Sequence, residues 1–500
     1  MNIYITGLGS GYEVEHLVRL FYPMAPLTLT PPEDGADCVW AEKRPDKLWA
    51  MVRQGGKSRT AEAPLPIPVE EGGETPEFAL ASLTYDLLRS WTGIRPPWGK
   101  MTGVRPVRLV HDKRAAGWTE EEIDDFFLKR FDCSPEKYGM AKAIADLQEP
   151  ILKAGSAPKT YSLYIGIPFC PSRCSYCSFV SRTVGDKSSR ALVAPYVDCL
   201  CKELAATRAA ADAAHLSIKT LYIGGGTPTS VNAQQLRQLM GTMAEQFDLP
   251  ALEEFTVEAG RPDCTDEEKL RIIKEYGATR ISINPQTFSD EVLRNIGRRH
   301  TAQDILDCYR TARRVGHDNI NMDLIAGLPG DTVEGFRHSL QTAIDLDPEN
   351  ITVHTLTLKR ASNLVVEHRA ADYADVAAMV ESCELLEKAG YRPYYLYRQK
   401  GTLQNLENVG WCKPGYECLY NIYIMEEVHT ILSAGAGGST KLVAPGARHG
   451  KIERIFNYKY PTEYIDRFDT ILARKEGVKQ FYDQYPNCGE SARPQAHGGV

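Results

Sequence analysis

The pattern of apolar and polar positions changes character near Tyr161. From there on, short apolar runs alternate with stretches whose apolar residues recur every three to four positions. The runs predict strands at Ser162–Ile167, Thr220–Ile223, Phe255–Glu258, Arg280–Asn284, Asn319–Ile325 and Asn350–Thr357. The periodic stretches predict helices near Ala191–Ala209, Ala233–Gln246, Asp266–Tyr276, Thr301–Val315, Thr332–Leu346 and Asp375–Ala389. Runs fit strands buried on both faces, and the three-to-four spacing fits helices with one buried face. Strand and helix in strict alternation give a parallel sheet of βα units. Six units predict an α/β fold, an incomplete (β/α)6 barrel, with its chemistry at the C-terminal ends of the strands.

Before Tyr161 the pattern is different. A strand at Asn2–Thr6 precedes an amphipathic helix around Glu13–Phe21, and Trp40, Trp49 and Val52 mark further strands. Helices are expected at about Pro76–Ser90, Glu120–Arg130 and Pro135–Leu152, around a Pro/Gly/basic segment at Gly93–Arg108. Polar Lys153–Thr160 reads as a linker. Past residue 400 the periodicity weakens, with a helix-like stretch near Asn421–Ser433 and a Gly-rich Ala434–Ser439. The expected organisation is an N-terminal α+β domain over 1–155, the partial barrel over 156–400, a small C-terminal extension over 401–486 and a disordered tail over 487–500.

Composition narrows the partners. A net charge of −7 gives no general nucleic-acid footprint. No apolar run approaches the roughly 18 residues of a membrane span, so no membrane partner is expected. Without a basic and apolar leader at Met1–Tyr4, the chain is expected to be cytoplasmic. Its 13 cysteines are scattered, and most read as small buried apolar residues rather than disulfides. Cys412 and Cys418 are spaced like a ligand pair, but two ligands are too few for a metal site.

One cluster breaks that background. Ile167–Ser178 reads IPFCPSRCSYCS, which puts Cys170, Cys174 and Cys177 on one tight loop after the first barrel strand. Three thiolates supply three corners of a cubane iron–sulfur cluster and leave one iron open to an outside ligand. A structural zinc needs a fourth N or S donor, and the nearest histidines, His111 and His215, are remote in sequence.

Other polar residues end the following strands. Gly224–Thr229 (GGGTPT) exposes backbone groups to a polar ligand. Glu258 closes the third strand in FTVEAGRPD, and Gln286 follows the fourth in ISINPQTF. Arg298, with Arg299 beside it, has a guanidinium suited to a carboxylate. Asp323 lies inside the apolar run NMDLIAGLPG, where a lone carboxylate is costly.

The Cys-x3-Cys-x2-Cys motif and these strand ends resemble the radical S-adenosylmethionine (SAM) superfamily over about residues 161–440. The resemblance implies a [4Fe-4S] cluster on Cys170, Cys174 and Cys177. It also implies SAM held by Gly225, Gly226, Thr227, Glu258, Gln286, Arg298 and Asp323, with Tyr164 and Tyr176 as further contacts. The order IPFC, GGGTPT, PQTF, GRRH and DLIAGLPG resembles the oxygen-independent coproporphyrinogen oxidase group. RPPWGKMTGVRPVR, in the N-terminal part, resembles its coproporphyrinogen dehydrogenase HemZ branch.

The implied activity belongs to porphyrin or haem biosynthesis without oxygen: oxidative decarboxylation of coproporphyrinogen III to protoporphyrinogen IX. A tetrapyrrole is the implied substrate, and flavodoxin or ferredoxin is the kind of electron donor implied; the oligomeric state is open. Lys359 and Arg360, past the sixth strand, are candidates for the substrate's propionates, as are Arg398, Lys400 and the arginines of Arg95–Arg108. One residue departs from the pattern. Where the best-known oxidases have a further Cys, this chain has Phe179. Relatives with an aromatic residue there include haem chaperones, so a haem-transfer role is the alternative.

Overall fold

The computed structural model describes residues 1–66, 74–103, 105–155, 159–358, 362, 375–399, 401–445 and 450–485. Its contacts divide the chain into two compact units. The first is Met1–Lys142 with Arg398–Lys400 and Gln404–Leu406; the second is Ala143–Tyr397 with Gly401–Leu403 and Glu407–Val500.

The first unit holds a five-stranded sheet of β1 (Asn2–Thr6), β2 (Leu27–Thr28), β3 (Cys38–Lys43), β4 (Lys47–Gln54) and β5 (Lys57–Pro64). Its order is β2-β1-β3-β4-β5. Helices Tyr12–Val18 and Pro76–Thr92 close its core around Ile3, Val14, Leu17, Val52, Leu80 and Leu88. The longer helix begins where Thr75 accepts from the Phe78 N–H, has Pro76 in its first turn and stops at Gly93 with φ 74°. The expected helix at Glu120–Arg130 is α-helical only over Glu120–Asp125 and continues as a π turn through Phe126–Arg130.

The second unit is built on one large sheet. Its strands are β6 (Thr160–Ile167), β9 (Ser217–Gly225), β10 (Glu254–Glu258), β11 (Arg280–Ser282), β12 (Ile320–Ala326) and β13 (Asn350–Thr355), all joined in parallel; the short pair β7 (Phe169–Cys170) and β8 (Arg182–Thr183) lies apart from it. These are the six expected barrel strands. Helices Val193–Ala213, Ala233–Gln246, Glu267–Glu275, Ala302–Val315 and Val333–Asp345 follow five of them. Asp375–Ala389 is two short helices, Val376–Glu381 and Glu384–Lys388, rather than one.

Both flanks of the sheet come from later sequence. β14 (Arg392–Arg398) and β15 (Glu407–Cys412) extend one edge, with β15 antiparallel to β13. β16 (Thr430–Ala434), β17 (Ser439–Val443) and β18 (Ile452–Phe456) extend the other. β16 runs parallel to β6, pairing Leu432 with Leu163. The helix-like reading of Asn421–Ser433 is therefore corrected: the helix is Leu419–Glu426, Glu427 turns the chain at φ 54°, and Thr430–Ala434 is a fully buried strand. An apolar run alone does not separate a buried helix from a central strand. Residues 401–485 thus build the same sheet as the barrel strands. The linker reading is narrowed as well, since the helix Pro135–Gly155 covers its first half and β6 opens at Thr160. The tail 487–500 lies outside the described residues.

No helix among the described residues is long and apolar enough to cross a membrane.

Candidate functional site

β6 ends at Ile167, and the cysteine loop begins at once. Phe169 and Cys170 form β7, which pairs with β8, Cys170 opposite Thr183. The loop is anchored from three directions. Ser175 N donates to Ile296 O (3.0 Å), and Ser172 Oγ donates to Gly297 O (2.9 Å). On its other side the glycine run lies against it, with Gly226 N on Ile167 O (2.8 Å) and Thr227 N on Phe169 O (2.7 Å). That approach is why glycine is needed: a Cβ on Gly226 would sit 2.5 Å from Phe169 O, and Gly225 has φ +106°.

Cys174 is buried, and Cys170 and Cys177 are half-buried. Burial pushes the Cys177 thiol up to about 11, and the neighbouring Cys174 and Cys170 add to the rise. Burial also raises Cys170, opposed by a hydrogen bond from Thr227 Oγ1 at 3.6 Å. No three Cys, His, Asp or Glu side chains among the described residues converge on a single-ion site.

Across β10, β11 and β12 lies a continuous polar network. Glu258 accepts from Tyr222 Oη and from Asn284 Nδ2 (3.0 Å). Burial and the neighbouring Asp323 charge push the Glu258 carboxyl up. Asp323 accepts from Asn321 Nδ2 at 2.8 Å and lies 3.8 Å from His354 Nε2. Burial works against the Asp323 anion, but His354 and Asn321 outweigh it and hold the carboxyl below its usual range. Conversely, burial lowers His354, yet Asp323 raises it above an ordinary imidazole.

Gln286 takes the left-handed conformation, φ 67°, just beyond β11. Its N–H meets Asp323 O (2.8 Å) and its carbonyl accepts from Ile325 N (3.0 Å), so it is spliced onto β12. Such backbone costs of order 1–3 kcal/mol and gathers at functional sites. Arg298 is buried; it donates from Nη1 to Asn284 O (2.7 Å) and from Nη2 to Tyr176 Oη (3.3 Å). Its Nε has no partner, nor do Asn284 Oδ1 and Ser175 Oγ. Unpartnered buried donors and acceptors beside the cysteine loop are what a polar ligand would satisfy.

The predicted residues therefore fall into two linked groups: the cysteine loop with Gly225, Gly226 and Thr227, and the strand-end set Glu258, Gln286, Arg298 and Asp323. Tyr176 is placed between them. Tyr164 is placed differently, stacked in a buried group with Tyr222 and Tyr420. Arg299 is exposed and lines, with Arg173 and Arg294, a cavity of about 660 Å3 beside the loop. Arg398 gives its guanidinium to the Met101 and Gly103 carbonyls, at 2.8 and 3.1 Å. Arg95 pairs with Asp132 at 2.7 Å. Lys359, Arg360 and Lys400 lie outside the described residues. Cys412 and Cys418 are buried, with Cys418 Sγ donating to Glu254 at 3.3 Å.

Several participants went unpredicted, among them Asn284 and Asn321, which donate to Glu258 and Asp323. His354 and Tyr222 stand out weakly, as polar groups within apolar strand runs. Arg261 had only its place three residues after Glu258 to mark it.

A parallel sheet with a three-cysteine loop after its first strand defines a radical SAM protein, and the family model described as Radical SAM superfamily matches residues 164–343. The chain belongs to the oxygen-independent coproporphyrinogen-III oxidase-like group of that superfamily: it is 41% identical over 401 residues to the oxidase-like protein HemZ of Bacillus subtilis, 78% of each chain. It is also 40% identical over 341 residues to the heme chaperone HemW of Bacillus subtilis, covering 66% of this chain and 85% of that one. Among solved structures, coproporphyrinogen III oxidase HemN of Escherichia coli matches with TM-score 0.47 and 20% identity, over 68% of this chain and 82% of that one. Proteins of the superfamily bind a [4Fe-4S] cluster and SAM.

Proposed function

We propose that the chain is an oxygen-independent oxidase that converts propionate side chains of coproporphyrinogen III to vinyl groups, yielding protoporphyrinogen IX. The observation that carries the radical chemistry is the junction of the cysteine loop with strand-end polar groups whose buried atoms lack partners. Support for the substrate comes from the likeness to HemZ, which at 78% of the chain is longer than the second unit and so reaches into the first.

In this reading Cys170, Cys174 and Cys177 ligate three irons of the cluster. Arg298 offers its free N–H to the SAM carboxylate, and Gly225 and Gly226 open their backbone to the amino group. Gln286 supplies an amide to the ribose, while Glu258 and Asp323 complete the polar wall. When bound, the cluster and SAM would supply hydrogen-atom abstraction from a propionate, after which loss of CO2 and transfer of one electron to a one-electron acceptor would give the vinyl group. Cations past the sixth strand, Lys359 and Arg360, hold propionates. A one-electron carrier such as flavodoxin or ferredoxin supplies the reducing electron.

A second reading, haem binding and transfer, has its own support. Phe179 stands two residues after Cys177 and is 64% exposed, and the likeness to HemW is nearly as high as that to HemZ.

The test is anaerobic. The cluster is reconstituted, dithionite, SAM and coproporphyrinogen III are added, and 5′-deoxyadenosine and protoporphyrin are followed by chromatography. Both products together, and both lost in Cys174→Ala, are expected. 5′-Deoxyadenosine without protoporphyrin, together with tight haem binding in a titration, would transfer the assignment to the chaperone reading.

A further inference from the structure

Arg261 is a buried charge that none of the roles above uses. It lies just past β10, and the residue is 4% exposed. Its Nε and Nη2 grip Asp263 Oδ1 and Oδ2 at 2.9 and 2.8 Å, a two-pronged pairing. The same guanidinium reaches into the cysteine loop. Nη2 donates to Ser172 Oγ (2.9 Å), and Nη1 to Ser172 O (3.3 Å) and to Cys174 Sγ (3.5 Å). Ser172 Oγ passes the connection on to Gly297 O.

Behind it, Asp263 is 3.6 Å from Nδ1 of the buried His300. Burial favours the neutral Asp263 acid, but His300 and Arg261 overcome it and hold the carboxyl well below its usual range. The anion therefore stays in place to aim the guanidinium.

We infer that Arg261 is a positioning residue for the iron–sulfur centre, holding the Cys170–Cys174 span and donating an N–H to the Cys174 sulfur so that the cluster is easier to reduce. The inference rests on the cysteine assignment above. Reduction adds one negative charge to the cluster. An N–H dipole and a fixed positive charge at a ligand sulfur stabilise the reduced form more than the oxidised one, and burial strengthens both effects. A residue that only braced the loop would affect how much cluster is bound, not its midpoint.

The experiment uses the full chain, reconstituted anaerobically, as wild type, Arg261→Met, Arg261→Lys and Arg261→Gln. Iron content is measured, and the midpoint potential is read by electron paramagnetic resonance during dithionite titration. Arg261→Met is expected to move the midpoint to more negative potential. Arg261→Lys keeps the charge without the fork and should recover part of the shift; Arg261→Gln, which loses the charge but keeps an N–H donor, should shift it in the same direction as Arg261→Met. Wild-type midpoints in Arg261→Met and Arg261→Lys overturn the inference, whether or not iron content falls. Should Arg261→Met not fold, Arg261→Lys and Arg261→Gln decide, and wild-type midpoints in both overturn it. A wild-type chain that binds no cluster overturns the cysteine assignment itself, and the inference with it.

Discussion

At Gly226 the absence of a side chain has a direct cost attached to its loss. A methyl group there meets Phe169 O at 2.5 Å, and that carbonyl is already fixed by the Thr227 N–H. Gly226→Ala must push the glycine run away from the cysteine loop, at about 1–3 kcal/mol. The expected outcome is a lower thermal midpoint by calorimetry, and weaker SAM retention in equilibrium dialysis of the reconstituted protein.

The Asp323–His354 pair makes a pH prediction. His354 is raised above an ordinary imidazole, so its stabilising charge is fully present below about pH 6.5 and is lost as pH rises through the raised value. On the acid side Asp323, being lowered, keeps its charge until pH falls through its own depressed value. The difference in thermal midpoint between wild type and His354→Gln should be largest near pH 6 and shrink by pH 9. An equal difference at both ends would contradict the pairing. Residues whose chemistry is local were legible: three cysteines on one loop declare themselves by spacing. His354 and Arg261 were not, because their meaning lies in partners distant along the chain, Asp323 and Ser172, that only folding brings close.

Between elements, Glu203 is a buried polar joint of the second unit. It lies on helix Val193–Ala213, fully buried, and pairs with Lys475 Nζ at 2.7 Å. It also accepts from Tyr464 Oη (2.5 Å), from Gly435 N (2.7 Å) just past β16, and from Asn457 Nδ2 (2.7 Å). Removing Lys475 leaves the buried carboxylate without a counter-charge, held by neutral donors only, and breaking a buried pair typically costs about 3–5 kcal/mol. Lys475→Ala should lose stability on that scale in denaturant unfolding. The barrel strands were legible because each is an apolar run bounded by turn signals. β16 was not: TILSA follows the apolar stretch LYNIYIME after only the three residues Glu427–His429, the first of them left-handed. Likewise β17 and β18 pair antiparallel, and their short mixed runs have no helix between them to mark a unit.

For the molecule as a whole, two compact units, the first with its own apolar core, predict unfolding that is not two-state. Calorimetry should give an enthalpy larger than the van't Hoff value, and Lys475→Ala should move only the transition of the larger unit. The change of pattern near Tyr161 signalled two kinds of architecture. It did not signal that residues past 400 return to the barrel sheet, since strand pairing over such separations leaves no periodic trace.

That return has a consequence for synthesis. β6 is flanked by β9 on one side and β16 on the other. Until Ala434 has left the ribosome, one edge of β6 has no neighbour, although the strand itself was completed at Ile167. At about 5–20 residues per second the delay is roughly 13–50 s, far longer than a hairpin needs to form. The nascent chain must carry an open, apolar edge through that interval, which makes this a protein whose yield in a cell should respond to translation speed and to chaperones that cover strand edges.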